Sequence, residues 1–424
     1  MSFHKLRNTS LVALCCLAIG LPLLGQSSYT LEPSATTRIL ALGPLEPAAY
    51  DLLVASLHFS GAGEARSQAA MRVGLEAIAA AAELLETVSD PYERGARVLA
   101  LVHGVIKRYD LLESRMDNAL LEGRFNCVGS SSLYAILARA AGLSPKGVIL
   151  SDHAYCYLSL DGRRIDVETT SAGGYDLPAG KRPSGPSSEV SIRGILVLAL
   201  SNRATLLERS GRWPEALALA VDAFAYAPDD LTRDRLEGRI HNAVAALIRD
   251  RRYDEAQSLA EEALSRYGPS PTIASSRDAA RLASLTEALR ASAPLDALAI
   301  ADTVAGSGFA DAEWLERAYA FAYAGIAEDR RKSGDHLGAW QILAEATMRI
   351  KGSESLLSLE RVARTNWLRS EHNRFVELYN AGRYGDALDS VRRALKITPG
   401  ERLLSDDSIA AEAALSATMP PVIH

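Results

Sequence analysis

The sequence predicts an α+β domain followed by an all-α helical repeat domain. Residues 153–160 alternate between apolar and polar side chains, and residues 163–170 return after Asp161-Gly162, a pair typical of a tight β-hairpin turn. The segments before this hairpin carry apolar residues at helical spacing. From residue 192 onward, a short pattern recurs every 40 to 47 residues. Such a period is typical of stacked helical units.

Length and composition restrict the class of protein. At 424 residues the chain is expected to form two or three domains, and 48% hydrophobic with 23% charged residues fits a packed globular protein. The net charge of −6 and the lack of a basic cluster argue against nucleic-acid binding. No glycine-rich phosphate loop and no metal-ligand spacing of the histidines stands out, so no cofactor and no metal are predicted.

The first 26 residues resemble a secretory signal peptide. Lys5 and Arg7 precede an apolar run from Leu11 to Leu24, and small residues follow it. The alternative is an uncleaved anchor, but Pro22 interrupts a run shorter than the ~20 residues that a membrane span needs. We therefore expect export to the periplasm or the medium, or association with the cell envelope, without a stable membrane span.

The segment 44–121 is predicted to be helical throughout. Apolar residues have helical spacing over 48–59, 64–88 and 91–108, and Asp90 with Pro91 forms a typical helix start. These helices are expected to provide core packing.

Cys127 is the first candidate functional residue. It follows a turn-rich stretch and precedes an apolar helix over residues 131–141, so it is expected at the helix N-terminus. Unpaired N–H groups there favour a thiolate and could stabilise an oxyanion. The neighbouring serines, Ser130 to Ser132, are interpreted as helix caps rather than nucleophiles.

The hairpin supplies a base and an acid for this thiol. If Asp161 and Gly162 form the loop, residue 155 pairs with residue 168 and residue 153 pairs with residue 170. His153, Asp166 and Glu168 then share one face. Glu168 lies diagonal to His153, about 7–8 Å away by backbone, and Asp166 lies two residues further. Glu168 is thus the preferred orienting acid, and Asp166 is the alternative.

Cys156 points to the opposite face of the same strand. It is interpreted as a buried thiol. If the signal peptide with Cys15 and Cys16 is removed, however, Cys127 and Cys156 are the two cysteines that remain, and in an exported protein they could form a disulfide. Converging Cβ vectors and Cα atoms within about 7 Å would be needed for that bond.

These residues resemble the transglutaminase-like superfamily, whose pattern is a Cys, a His-Ala-Trp segment and a Val-Asp-Pro-Thr segment. The corresponding residues are Cys127, His153-Ala154-Tyr155 and Val167-Glu168-Thr169-Thr170. The resemblance implies a papain-like α+β domain over 27–170, with Cys127 as nucleophile, His153 as general base and Glu168 as third member. Glu and Tyr replace the usual Asp and Trp.

Residues 171–191, rich in Gly, Pro and Ser, are predicted to be a linker, and 192–424 a helical repeat domain. The Gly-aromatic-x-x-Ala-Leu pattern resembles tetratricopeptide repeats, with equivalent positions at 213, 253, 295, 337 and 384. This resemblance implies binding of a protein or peptide substrate or partner. Oligomeric state is not predicted.

Two functions follow as hypotheses. In the first, the chain is an exported cysteine protease, amidase or transglutaminase-like acyltransferase that uses Cys127, His153 and Glu168 or Asp166. In the second, the thiol site is inactive and the protein is a cell-envelope scaffold whose repeats bind other proteins.

Overall fold

The structure is a computed structural model that describes residues 29–181 and 183–418. The predicted signal peptide, residues 1–26, lies outside the described residues. Helices account for 71% of the structure and strands for only 6%. The fold is therefore predominantly all-α, and the prediction of a papain-like α+β domain is wrong.

The prediction of an α+β domain fails because the sheets are small. The strands are β1 (Arg108–Tyr109), β2 (Arg124–Phe125), β3 (Lys146–Ile149), β4 (Ala154–Leu160), β5 (Arg163–Val167) and β6 (Ser188–Val190). Strands β5, β4, β3 and β6 form one antiparallel sheet in that order, and β1 with β2 forms a second, parallel pair. The hairpin predicted from the sequence is present, but helices supply most of the core around it.

The described chain divides into two compact units, and the division falls between Ala280 and Arg281. The domain boundaries predicted from sequence stay a prediction. Within the stretch predicted as a linker, β6 pairs with β3 and so belongs to the main sheet.

The first unit begins with helices that match the sequence prediction closely. The helices up to the thiol are α1 (Ala35–Ala41), α2 (Ala49–Ser60), α3 (Glu64–Thr87), α4 (Pro91–Val105), α5 (Met116–Glu122) and α6 (Cys127–Ala140). Asp90 caps α4 by accepting a hydrogen bond from the Tyr92 N–H, and Pro91 is its first residue. The helical prediction for 44–121 fails at the connections between helices and over residues 106–115, which contain β1 and irregular segments. A two-residue strand is too short to produce alternation in the sequence.

Helix α6 lies at the centre of the first unit. It packs against α2, α3 and α4 on one side and against β4 on the other. Its residues from Cys127 to Ala138 are all buried. Burial of a whole helix holds its N-terminus rigidly, and Cys127 stands at that end.

The hairpin register agrees with the prediction. Leu160 pairs with Arg163, and the ladder continues to Cys156 opposite Val167. Asp161 and Gly162 have φ values of 48° and 76°, as a type I′ turn requires. The predicted face assignment depends on this register.

The described chain from residue 192 to residue 418 is helical, and most consecutive helices within each unit pack side by side. The helices are α7 (Ile192–Leu196), α8 (Leu198–Arg209), α9 (Trp213–Tyr226), α10 (Asp230–Arg249), α11 (Tyr253–Tyr267) and α12 (Pro271–Ala291), followed by α13 (Pro294–Ser307), α14 (Ala312–Lys332), α15 (His336–Arg349), α16 (Glu354–Asn380), α17 (Tyr384–Ile397) and α18 (Arg402–Thr418). Each repeat-equivalent position is the first or second residue of a helix. The residues before α9, α11 and α17 share nearly the same backbone angles, with φ between −87° and −93° and ψ between 55° and 60°.

The repeat pattern in the sequence thus corresponds to helix starts, three of which share a backbone conformation. The resemblance to tetratricopeptide repeats stays a prediction. In the described residues, no helix is both long and apolar enough to cross a membrane.

Candidate active site

Cys127 is the first residue of α6, and Asn126 caps that helix. Asn126 Oδ1 accepts hydrogen bonds from the N–H groups of Val128 (3.0 Å) and Gly129 (3.1 Å). Its Nδ2 donates to the Leu111 carbonyl at 3.1 Å. Asn126, the residue before Cys127, is therefore held by hydrogen bonds through both its amide oxygen and its amide nitrogen. Asparagine directly before a helix is a preferred cap, so this role was readable from the sequence.

The Asn126 cap also limits which N–H groups of α6 could bind an oxyanion. Two of the N–H groups expected to be free at the α6 N-terminus are occupied by Asn126. The Cys127 N–H has no hydrogen-bond partner among the described residues, so it is the helix N–H that remains for an oxyanion.

His153 ends the loop that joins β3 to β4. Its carbonyl accepts a hydrogen bond from the Leu150 N–H at 2.9 Å, which closes the loop. Its Nε2 donates to Glu168 Oε2 at 2.6 Å. Because Nε2 is bonded to the carboxylate, Nδ1 is the ring nitrogen that is left for the hydrogen bond with the Cys127 side chain. The structure thus brings together a thiol, an imidazole and a carboxylate in the order of a catalytic triad.

The surroundings of His153 favour the imidazolium. The hydrogen bond with Cys127 and then the hydrogen bond with Glu168 raise the pKa of His153 to about 10, although burial opposes the shift. His153 is therefore a charged hydrogen-bond donor beside the Cys127 side chain.

Glu168 is held from the other side by Thr170. The Thr170 N–H (3.0 Å) and hydroxyl (2.6 Å) both donate to Glu168 Oε1. Burial alone would raise the pKa of this carboxyl, but the hydrogen bonds from His153 and Thr170 outweigh burial and lower it. Glu168 is therefore ionised and oriented. The adjacent Thr170 is a site residue that sequence reasoning missed.

Asp166, the alternative acid, has a different partner. It accepts a hydrogen bond from Arg164 Nε at 2.7 Å, whereas His153 bonds to Glu168. The diagonal geometry of the hairpin explains this selection, since Glu168 is the closer of the two to His153.

Thr169 ties the acid segment to α6. Its hydroxyl forms hydrogen bonds of 2.9 Å with the hydroxyls of Ser130 and Ser131, and its carbonyl accepts one of 3.1 Å from His103 Nε2. The serines are therefore buried anchors within α6 and not its cap, which corrects their sequence interpretation. Nothing in a single sequence marks a helix serine as the partner of a distant threonine.

Cys156 and Tyr155 lie on different faces of β4, since Cys156 packs against α6 in the main core and Tyr155 belongs to a separate cluster with Tyr157. Cys156 is completely buried, its thiol donates to the Ser131 carbonyl at 3.5 Å, and burial raises its pKa to about 12. Both cysteines are free thiols, so the alternative of a Cys127–Cys156 disulfide is not what the structure contains.

Tyr109 was also missed by sequence reasoning. Its ring packs edge-on against Phe125 at a centroid distance of 5.7 Å, two residues before Cys127. Burial, together with the negative charges of Cys127 and Glu168, raises the pKa of its hydroxyl. The pairing of β1 with β2 brings it there, and a two-residue strand leaves no sequence signal.

The thiol and the imidazole open into a cleft of about 410 Å³. One wall contains Cys127 and the 150–153 loop with His153. The rest of the lining includes the face of α8 that carries Leu198, Asn202, Thr205, Leu206 and Arg209, together with Arg235 of α10. These α8 positions recur at helical spacing and so share one side of the helix. The cleft is large enough for a short peptide segment.

The chain matches no protein-family model. The search of curated protein sequences finds no match either. Function is therefore inferred from the geometry of this site.

Proposed function

We propose that this protein is a thiol acyl-transfer enzyme that acts on peptide or carboxamide bonds. The observation that carries the proposal is the contact chain from Cys127 through His153 to Glu168 at the wall of a peptide-sized cleft. Superfamily resemblance supports the chemistry, and export to the cell envelope is proposed with it.

The reaction has two halves. The Cys127 thiolate attacks the carbonyl carbon, the His153 imidazolium gives its proton to the leaving amine, and the C–N bond breaks to leave a thioester. Water or an amine then adds to the thioester while His153 takes its proton, and the thiolate leaves. Water as acceptor gives hydrolysis, and an amine gives amide exchange.

Each residue has a distinct part. The Cys127 N–H is available to hold the oxyanion. Glu168 keeps the imidazole oriented and charged, and Thr170 keeps Glu168 in place. The helices from α8 onward are proposed to bind the protein or peptide substrate, since α8 and α10 already line the cleft.

Acyl-enzyme trapping tests the proposal. The protein is incubated with a library of N-acetylated peptides, including glutamine peptides, with and without cadaverine as amine acceptor, and peptides and protein are analysed by mass spectrometry. A thioester on Cys127, with cleaved or amine-modified peptides that are absent with C127A and present with C156A, is the expected result. No thioester on Cys127, together with products equal in wild type and C127A, would contradict the proposal and favour the scaffold function.

A further inference from the structure

The cleft carries positive charge that no carboxylate of the described residues neutralises. Arg209 of α8 and Arg235 of α10 both line it, and neither has an ion pair with any described residue. Many other arginines of the first unit are paired, for example Arg212 with Glu215 and Arg233 with Glu237, although some, such as Arg239, are not. Arg209 and Arg235 are distinguished by their place in the lining of the cleft that also contains Cys127.

Of the two arginines, Arg235 gives the stronger evidence for a ligand carboxylate. It is half-buried, and its Nη1 donates to the Ser201 hydroxyl at 3.2 Å, which is a neutral partner. Burial, and then the charge of Arg239, lower the pKa of Arg235, while Asp229 opposes the shift. Charge buried without a close counter-ion is costly, and a ligand carboxylate would relieve that cost.

The rest of the lining contains one acidic residue and several apolar residues. Asp152, next to His153, is the acidic residue of the lining and lies on the loop of the thiol wall. A substrate carboxylate is repelled by Asp152 and attracted by the arginines of α8 and α10. The lining also contains apolar side chains, among them Leu111, Leu112 and Leu206, which are 69%, 63% and 41% exposed.

We infer that the enzyme selects acyl substrates that also carry a carboxylate group, which Arg209 and Arg235 bind in the cleft that they share with Cys127, while an apolar part of the substrate packs on leucines of the lining. The inference deepens the proposed function and rests on it. The carboxylate could be a peptide C-terminus or an acidic side chain, which present the same chemistry to the two guanidinium groups.

Four iodoacetyl probes that alkylate Cys127 test the inference, and none of them requires the natural substrate to be identified. Iodoacetyl-leucine is compared with its amide to test a terminal carboxylate. Iodoacetyl-leucyl-glutamate amide is compared with the glutamine analogue to test an acidic side chain. Labelling rates at Cys127 are measured by mass spectrometry in wild type, R209Q, R235Q and R239Q, each relative to neutral iodoacetamide.

Arg239 provides the matched control. It lies one turn beyond Arg235 on α10, is also half-buried, and its Nη2 donates to the Ser201 carbonyl at 2.9 Å, but it does not line the cleft. R239Q therefore removes a buried guanidinium and a contact with α8 without removing a cation of the cleft.

In at least one pair, the acidic probe is expected to react about five- to tenfold faster than its neutral analogue in wild type, as a charge-assisted hydrogen bond gives. That ratio is expected to fall towards one in R209Q and R235Q, to persist in R239Q, and to decrease at high salt. The responding pair identifies the source of the carboxylate.

Equal rates within both pairs, or a preference that survives both cleft variants, would overturn the inference while leaving the proposed function intact. Cys127 that reacts with no probe, iodoacetamide included, would overturn both.

Discussion

Glu168 accepts a 2.6 Å hydrogen bond from His153 although it lies just past the end of strand β5. Its position is set by the hairpin register on one side and by the two hydrogen bonds from Thr170 on the other. The orienting acid of the site is therefore fixed by backbone geometry and by its neighbour in sequence.

Replacing this acid is expected to lower the pKa of His153. E168Q removes a carboxylate whose hydrogen bond helps to raise that pKa from 6.5 to about 10, so the value is expected to fall towards 6.5. Carbon-13 NMR of labelled histidine as a function of pH measures it. D166N serves as the control, because Asp166 bonds to Arg164. An equal shift in D166N would contradict the assignment of Glu168.

The raised pKa also predicts a pH dependence of stability. A group whose pKa is higher in the folded protein stabilises it fully below the unfolded value, near 6.5, and this contribution is lost as pH rises through about 10. Unfolding of the first unit in urea, compared between pH 6 and pH 10, should lose more free energy in wild type than in H153A. Equal losses would count against the charged pair.

Gly174 is expected to tolerate no side chain. A Cβ there would clash with the Glu168 carbonyl oxygen, whereas a Cβ at Gly173 would meet nothing within 4 Å. G174A should displace the Glu168 backbone, cost about 1–3 kcal/mol of stability and slow alkylation of Cys127. G173A is the matched control and should behave as wild type. Similar effects of the two variants would remove the clash as the cause.

Thr169 is expected to hold the acid segment on α6. T169V keeps the shape of the side chain but leaves the hydroxyls of Ser130 and Ser131 without their 2.9 Å partner. A loss of about 1–3 kcal/mol in unfolding free energy should follow, as for buried polar groups that lose a partner. T303V, at an exposed threonine that bonds only within its own helix, should cost less than about 0.5 kcal/mol. Equal costs would contradict the anchoring role.

The Asn126 cap should control the start of α6. N126A removes two hydrogen bonds and should destabilise the first turn by about 1 kcal/mol, seen as faster amide hydrogen exchange of Val128 and Gly129. D311A, at the cap of α14, should accelerate exchange only in α14. Exchange in α6 that is unaltered by N126A would show that packing alone fixes the helix start.

The sequence predicted the local part of this site well. Turn chemistry at Asp161-Gly162 fixed the hairpin register, and side-chain parity separated Cys156 from His153. The fold class was wrong because one strong hairpin signal was extended to a whole α+β domain, while helices build most of the core. Tyr109, Thr169 and Arg235 were missed because each reaches the site through contacts distant in sequence.

The central claim is that Cys127 and His153 form a thiolate–imidazolium pair. It is tested most directly by the rate of Cys127 alkylation by iodoacetamide from pH 5 to 10, measured by mass spectrometry in wild type and H153A. Cys156, buried and with its pKa raised to about 12, is the internal control. Such a pair predicts fast labelling of Cys127 already at pH 6, strong slowing in H153A and little labelling of Cys156. Slow labelling of Cys127 at pH 6 that is equal in both proteins would contradict it.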